Sequence, residues 1–525
     1  MAATQTLDAP SRAAEPTATV SSRRLSGVVV LSGAAALATE ICASRLLAPF
    51  FGTSTVVWAN IIGLILLYLS AGYWLGGRLA DRHPSRRTLG LIVLAAACTI
   101  AAVPFIAKPI LGVALQAFSG LSVGTTVASF FATLLLFSVP VTLLGMVSPF
   151  AIRLAVRDVS RAGTVSGRLY ALSTMGSIAG TFAPALLTIP LVGTQRTMIG
   201  AAIGCAVAAT LLLGWRWLLL AVLIAALLLI PPGPVKDVSG LIAEAESQYQ
   251  YVDIVQNSDG VRYLELNEGL VVHSVWRAGT VLTGGEWDTF LVIPRLLDHP
   301  VRNVLVIGNA CGTIARAFSV FYPQAHVDGV ELDPTVSQLC KQYMGEAAIP
   351  NLTVITADGR PYLDTTTTKY DLIIVDAYQQ PYIPFQLVTQ EFFDLCQHHL
   401  NPGGALALNV ERIPGSDTLD DTIESTVAAT MPDAWVWPAL RLNEIIVAFN
   451  RSSDTTPRLQ SALDPRIASL GPLFTTEVRR AHRNQTPMTD DRAPIEWLTD
   501  QALIAYIVSG GTDVEPPLPT YPGSG

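Results

Sequence analysis

Acidic residues close three short apolar segments in the second half of the chain. Glu331, Asp358 and Asp376 each stand at the end of a segment rich in Val, Ile and Leu. Segments of this length, alternating with helical patterns, predict a parallel sheet, and ligands bind at the carboxyl ends of such strands. A carboxylate at that edge can accept a hydrogen bond from a ligand hydroxyl or amino group, and it can also accept a proton.

The segment Gly308–Gly312 (Gly-Asn-Ala-Cys-Gly) predicts a turn where the backbone can approach a ligand closely. Glu331 comes 23 residues after Gly308, where a carboxylate can accept hydrogen bonds from both hydroxyls of a ribose. Asp358, followed by Gly359, could accept a hydrogen bond from an adenine amino group. A dinucleotide loop would have glycines at positions 310 and 313, which are Ala and Thr here. The pattern therefore favours an adenosyl sulfonium ligand over a dinucleotide.

The elements that would position these residues predict the fold class. The expected fold is an α-helical transmembrane bundle followed by an α/β domain, a methyltransferase-like (Rossmann-type) doubly wound sheet with an N-terminal β-hairpin. Residues 249–256 and 261–266 alternate as two strands around a Ser-Asp-Gly turn. Further strands are expected at 304–307, 327–332, 352–357, 372–375 and 405–410, and helices at 313–321, 334–344 and 389–400, with an Asn-Pro-Gly-Gly turn at 401–404.

The first half of the chain is apolar enough to cross a membrane several times. Runs near the length of about 20 residues that a bilayer requires lie at 25–47, 56–77, 88–107, 124–151, 166–192 and 196–214. A shorter run, 217–230, is interpreted as interfacial or re-entrant, and an eighth element is considered near Ile110–Leu121. The expected number of crossings is six to eight.

Charge predicts the orientation. Residues 1–235 carry 15 basic and 5 acidic side chains, and 11 of the basic ones precede the first run, follow the second, or separate the fourth from the fifth. Basic loops stay in the cytoplasm, so the N-terminus is expected there. With six crossings the second half is also cytoplasmic. The sequence therefore predicts a multi-pass protein of the cell membrane with its catalytic domain in the cytoplasm. Glu40 and Arg45 are ionisable residues within the first run, either a functional pair or a packed one.

Composition defines the domains and excludes some partners. We expect an N-terminal cytoplasmic segment at 1–24, a transmembrane domain at 25–231, a linker at 232–248, a catalytic domain at 249–508 and a disordered tail at 509–525. The second half has 18 basic and 36 acidic residues, which excludes nucleic acid as a partner. Six cysteines without paired spacing predict neither a disulfide framework nor a metal site. Membrane lipid is an expected partner, and a homo-oligomer is left open.

These residues resemble the spermidine synthase family of polyamine aminopropyltransferases. The resemblance extends over roughly residues 240–450, and the membrane half is similar to the multi-pass extension of some bacterial members. The first matching segment is Glu246–Val252 (ESQYQYV), with Gln250 at the family's glutamine position. The others are Val304–Gly312 (VLVIGNACG), Val330–Asp333 (VELD), Ala357–Gly359 (ADG), Tyr370–Asp376 (YDLIIVD) and Thr389–Phe393 (TQEFF).

The resemblance implies transfer of an aminopropyl group from decarboxylated S-adenosylmethionine to putrescine, giving spermidine and methylthioadenosine. No permanently bound cofactor is implied, because the adenosyl sulfonium is a cosubstrate. Asp376 would be the proton acceptor. The nucleoside would be held by Gln250, Gly308, Glu331, Asp358 and Gly359.

The chain departs from the family at two acids that hold the amine. Cys311 stands where the glycine-rich loop has an acid, and Gln379 stands at the second acid of a later loop. Asp288 and Glu411 are candidates to replace that charge. Two alternatives stay open: a methyltransferase that acts on another acceptor, and a non-catalytic membrane transporter or sensor that binds an adenosyl ligand.

Overall fold

The computed structural model describes residues 22–508, except 53–54, 119–123, 232, 234, 237, 268, 270, 379–381, 440–441, 452–455, 473 and 475–477. The expected N-terminal segment and C-terminal tail lie almost entirely outside these residues. The described chain consists of a helical bundle followed by an α/β domain.

Six helices of the first half are long and apolar enough to cross a membrane, by length and composition. This agrees with the six long runs of the sequence. The proposed eighth element is wrong as a separate span, because residues 110–118 continue the third helix. The helices are α1 Ser22–Phe51, α2 Thr55–Arg82, α3 Arg86–Phe118, α4 Gly124–Gly145, α5 Val147–Ala155, α6 Ala162–Ala183, α7 Ile189–Val192, α8 Thr194–Leu213 and α9 Leu218–Ala226.

Glycines let α1 and α6 pack backbone to backbone. A Cβ on Gly176 would lie 2.1 Å from the Val30 carbonyl oxygen, and one on Gly180 would lie 2.0 Å from that of Ala34. Any side chain at these two positions would force the helices apart. The small-residue spacing therefore serves contacts within the bundle.

The α/β domain begins with an antiparallel sheet of four strands in the order β1-β2-β3-β4. The predicted hairpin is confirmed as its central pair. The predicted linker 232–248 is partly wrong, because it contains β1, whose backbone pairs with that of β2. The strands are β1 Leu241–Glu246, β2 Tyr251–Gln256, β3 Arg262–Leu266 and β4 Val272–Trp276.

An eight-stranded sheet follows, in the order β12-β10-β11-β9-β8-β5-β6-β7. The five strands from β9 to β7 are parallel, as predicted, and β10 to β12 add an antiparallel edge. The predicted turn at 401–404 is instead a bulge inside β9, since Leu400 pairs with Tyr370 and Ala405 with Leu372. The strands are β5 Asn303–Ile307, β6 His326–Glu331, β7 Leu352–Thr356, β8 Tyr370–Val375, β9 Leu400–Glu411, β10 Ala434–Pro438, β11 Asn443–Phe449 and β12 Arg479–Arg480.

Helices cover both faces of this sheet, which is why its central strands are apolar throughout. Every residue of β8 is buried, and the side chains of alternate strand residues enter two separate cores. The helices are α10 Thr313–Phe321, α11 Pro334–Tyr343, α12 Gly359–Thr365, α13 Gln390–His399, α14 Thr418–Thr430 and α15 Ile495–Val508.

One disulfide corrects the expectation from the cysteine spacing. Cys311, in the loop after β5, is bonded to Cys340 on α11, 29 residues later. Both side chains are fully buried between α11 and the four-stranded sheet. The parallel pairing of β5 with β6 brings their following segments together, a proximity that sequence spacing does not reveal.

Candidate active site

Four neighbouring strands end at one edge of the large sheet, and each carries a residue singled out from the sequence. In spatial order these strands are β8, β5, β6 and β7. Asp376 follows β8, Gly308 follows β5, Glu331 ends β6 and Asp358 follows β7. The sheet therefore places three carboxylates and one glycine-containing loop in a continuous row.

The loop after β5 requires glycine at its first position. Gly308 has φ of 89°, and a Cβ there would lie 2.3 Å from the Asp376 carbonyl oxygen. Ala310 adopts a positive φ of 45°. The loop is also held by Asn309, whose amide donates to Glu346 at 2.9 Å. Sequence reasoning missed Glu346, which begins a three-residue 3-10 helix that carries no motif.

Glu331 is buried and holds the loop from the side. One of its carboxylate oxygens accepts the Ala310 N–H at 2.9 Å, and the other accepts the Asp333 N–H at 2.9 Å. Burial raises the pKa of Glu331 to about 7, although these two hydrogen bonds oppose the rise. Each oxygen keeps a second acceptor site, so the carboxylate can still accept bonds from a pair of hydroxyls.

Asp358 and Gly359 lie where β7 gives way to α12. Asp358 caps that helix by accepting the Arg360 N–H at 3.1 Å. Gly359 allows α12 to approach β5, since a Cβ there would lie 2.4 Å from an Ile307 side-chain carbon. Gly359 thus has a packing role. The carboxylate oxygens of Asp358 can still accept further hydrogen bonds at the strand edge.

A segment near the C-terminus closes against the same corner. The Arg360 guanidinium donates two hydrogen bonds to Asp490, at 2.7 and 2.5 Å, and Thr389 donates to Asp490 at 2.7 Å. The Arg360 hydrogen bonds lower the pKa of Asp490. The run Thr489–Glu496 is therefore attached beside Asp358.

Gln250 lies immediately before β2, in a tight turn that is tied to the residues following β6. The Ser247 hydroxyl accepts the Gln250 N–H at 3.0 Å and donates to Asp333 at 2.6 Å. Asp333 is two residues beyond Glu331. The turn thus brings Gln250 to the Glu331 side of the row.

Asp376 is held in one orientation by two side chains. The Trp287 indole donates to one carboxylate oxygen at 3.0 Å, and the Asn409 amide donates to the other at 2.9 Å. Burial raises the pKa of Asp376, against these two bonds. Sequence reasoning missed Trp287 and Asn409, because neither belongs to a local motif with Asp376.

A small cavity lies beside Tyr378, two residues after Asp376 in the chain. Tyr378 forms one wall, and its hydroxyl donates to the Asn409 carbonyl at 3.0 Å and accepts the Glu411 N–H at 2.8 Å. Most of the lining is apolar, with one carboxylate. The lining residues are Tyr378, Ile383, Glu411, Ile413, Leu419, Ile495 and Thr499.

Comparisons with known proteins match this domain. Residues 290–434 match the family described as "Spermine/spermidine synthase domain". The chain is 37% identical over 192 residues to a "Probable polyamine aminopropyl transferase" of Bifidobacterium longum, covering 36% of this chain and 42% of that protein. It is 29% identical over 217 residues to the "Polyamine aminopropyltransferase" of Vibrio vulnificus, covering 40% of this chain and 71% of that protein.

The α/β domain is therefore similar to the polyamine aminopropyltransferases. The chain spans less than half the length of the Bifidobacterium relative. The structure of a "probable spermidine synthase" from Corynebacterium glutamicum superposes with a TM-score of 0.38 and 19% identity, covering 51% of this chain and 94% of that one.

Two of the three residues assigned to the amine have other surroundings in the structure. The Cys311 sulfur is bonded to Cys340, so it is not a free thiol facing a ligand. Asp288 is buried and accepts hydrogen bonds from the Thr283 N–H, the Thr283 hydroxyl and the Gly284 N–H, which hold its own turn. Gln379 lies outside the described residues.

One further cluster resembles a metal site in composition. Ligand atoms of Asp421, Glu424 and His482 lie within 4.8 Å of one another. The Arg479 guanidinium, however, donates to both Glu424 oxygens at 2.6 and 2.7 Å. That cation neutralises the carboxylate most central to the cluster, so an ion pair accounts for the arrangement.

Proposed function

We propose that the protein is a membrane-anchored aminopropyltransferase. It moves the aminopropyl group of decarboxylated S-adenosylmethionine to an amine, with putrescine as the first candidate, and it forms spermidine and methylthioadenosine. The row of Asp376, the Gly308 loop, Glu331 and Asp358 carries the proposal, together with the homology of the domain. Six apolar helices support the membrane anchor.

The reaction is an in-line displacement at the carbon next to a sulfonium. The amine nitrogen forms the new C–N bond, the C–S bond breaks, and sulfur keeps that electron pair to become a neutral thioether. An ammonium has no lone pair, and its pKa near 10 keeps it protonated at neutral pH. Asp376 can accept the proton, because Trp287 and Asn409 fix both of its oxygens at the strand edge.

The acceptor would approach Asp376 from the side of Tyr378 and the small cavity. A buried ammonium costs several kcal/mol unless it is paired, and Glu411 is the carboxylate that lines this cavity. This arrangement supports an amine acceptor although Cys311 and Gln379 replace the family's acids.

A turnover assay tests the proposal. The full-length protein in detergent is incubated with putrescine and either decarboxylated or intact S-adenosylmethionine, and products are separated by mass spectrometry. Spermidine and methylthioadenosine in equal amounts are expected. S-adenosylhomocysteine from the intact donor would identify a methyltransferase instead, and ligand binding without product would identify a sensor.

A further inference from the structure

Contacts between helices distinguish the two ends of the bundle. At one end, the start of α1 meets the end of α8, where a Cβ on Gly27 would lie 3.2 Å from Leu211. Arg153, after α4, pairs at 3.0 Å with Asp81 at the end of α2. We call this the basic end, because most cationic side chains of the bundle lie there.

The described residues from 22 to 230 include 14 Lys and Arg side chains. The order of the helices through the bundle places 11 of them at the basic end. They are Arg23, Arg24, Arg78, Arg82, Arg86, Arg87, Arg153, Arg157, Arg161, Arg168 and Arg216. The other three are Arg45, Lys108 and Arg196. Short loops rich in Lys and Arg remain in the cytoplasm, so the basic end is the cytoplasmic one.

The α/β domain contacts the opposite end of the bundle. Arg45, near the end of α1, donates to the Gln248 carbonyl. The Thr194 N–H, at the start of α8, donates to the Glu246 carboxylate at 2.7 Å. Both partners belong to the segment that leads into the Gln250 turn, so this side of the active-site row is fixed against the end of the bundle opposite the basic end.

A seventh apolar segment links the two ends. Residues Trp215–Leu229 form a shorter apolar helical segment that begins at the basic end, directly after α8. Ala221 and Ile224 are buried in the core of the bundle. Fifteen helical residues extend about 22 Å, less than the bilayer core of about 30 Å, a mismatch that local thinning of the bilayer accommodates. This segment carries the chain across, which an interfacial position would not do.

The disulfide gives independent support. Bond formation between Cys311 and Cys340 removes two protons and two electrons, which an oxidising protein disulfide accepts as it becomes a dithiol. Disulfides persist in extracytoplasmic compartments and are rare in a reducing cytoplasm.

We propose that the chain crosses the membrane seven times and presents its active-site domain on the extracytoplasmic face. The consequence for the reaction rests on the proposed function. The amine acceptor is taken from outside the cytoplasm, and the charged sulfonium donor is transported across the membrane before the transfer. The expectation of a cytoplasmic domain required six crossings and an interfacial 217–230.

Labelling with a membrane-impermeant maleimide tests the orientation in intact cells that produce the full chain. Ser258→Cys places a thiol on the exposed tip between β2 and β3, and Ser160→Cys places one in the exposed connection before α6. We expect the first variant to be labelled in intact cells and the second only after permeabilisation. The parent chain, with its buried or lipid-facing free cysteines, gives the background.

The reverse pattern, with Ser160→Cys labelled in intact cells and Ser258→Cys protected, would overturn the proposal. Thiol counting on protein denatured directly from acid-quenched cells is the second measurement. Four reactive thiols before reduction and six afterwards are expected, whereas six before reduction would remove the support from the disulfide. Neither readout depends on turnover, so a failure of the proposed activity would leave both results interpretable.

Discussion

In the proposed site, Asp376 is needed for the transfer reaction and is not needed for nucleoside binding. Replacement by Asn keeps the shape and the nearby Trp287 indole but removes the proton acceptor. We predict that Asp376→Asn lowers kcat by about 100- to 10,000-fold, the usual contribution of a general base. Affinity for methylthioadenosine should remain near that of the parent protein, as calorimetry would show.

Asp364→Asn is the matched control, since Asp364 is an exposed acid on α12. It should leave kcat unchanged. Equal turnover in Asp376→Asn and the parent protein would refute the assignment of the base.

Glu331 should make nucleoside binding depend on pH. Burial raises its pKa to about 7, and ribose hydroxyls donate to its ionised form. Affinity for methylthioadenosine should therefore rise as the pH increases from 5.5 to about 7 and then level off. Because the pKa of Glu331 is higher in the folded protein, its neutral form stabilises the ligand-free protein fully at pH values below 4.5, the pKa in the unfolded chain. That stabilisation is lost as the pH rises through about 7.

Calorimetric titrations at several pH values would measure this dependence. Glu331→Gln, which cannot ionise, should give a flat profile, and an equally steep profile in that variant would assign the titration to another group.

At the scale of elements, the C-terminal segment is predicted to stabilise the adenine side of the site. Asp490 links Arg360 of α12 to Thr389 before α13, although both members of the ion pair are partly exposed. Loss of a pair of this kind costs about 1 kcal/mol or less. We expect Asp490→Asn to raise KM for the sulfonium donor by a few fold with kcat nearly constant.

The adjacent Asp491 is exposed and offers the control. Asp491→Asn should behave like the parent protein. Identical KM values in the two variants would show that the segment has no part in donor binding.

The disulfide is predicted to stabilise the loop after β5. A cross-link over 29 residues contributes about 3.6 kcal/mol on the chain-entropy estimate. Reductant should therefore lower the Tm of the parent protein by several degrees, as differential scanning fluorimetry would show. Cys340→Ser should already melt at the lower temperature and should not respond to reductant; a response there would locate the effect elsewhere.

Part of the secondary structure and part of the candidate site could be predicted from the sequence. The parallel strands and their terminal acids were predicted, because burial on both faces makes these strands apolar and leaves the first polar residue at the edge. Strand β1 was missed, since its sequence Leu-Ile-Ala-Glu-Ala-Glu carries charges and depends on pairing with β2. Trp287, Asn409 and the Cys311–Cys340 bond were missed because only the folded sheet brings distant segments together.

At the scale of the whole molecule, the membrane bundle and the α/β domain share one boundary. Arg45, an ionisable residue in the first apolar run, contacts the segment before the Gln250 turn. The bundle therefore contacts the segment that positions Gln250 beside the row. The orientation could not be predicted from the arginines alone, since it depends on whether the short segment 215–229 crosses.

The central claim is that strand-end carboxylates in this domain hold an adenosyl sulfonium. Titration of the full-length protein with decarboxylated S-adenosylmethionine in a calorimeter tests it most directly. We predict saturable one-to-one binding, weakened about 10- to 100-fold by Glu331→Ala, which corresponds to the 1.5–3 kcal/mol of a charged hydrogen bond. Absence of binding to the parent protein, or equal affinity in Glu331→Ala, would contradict it.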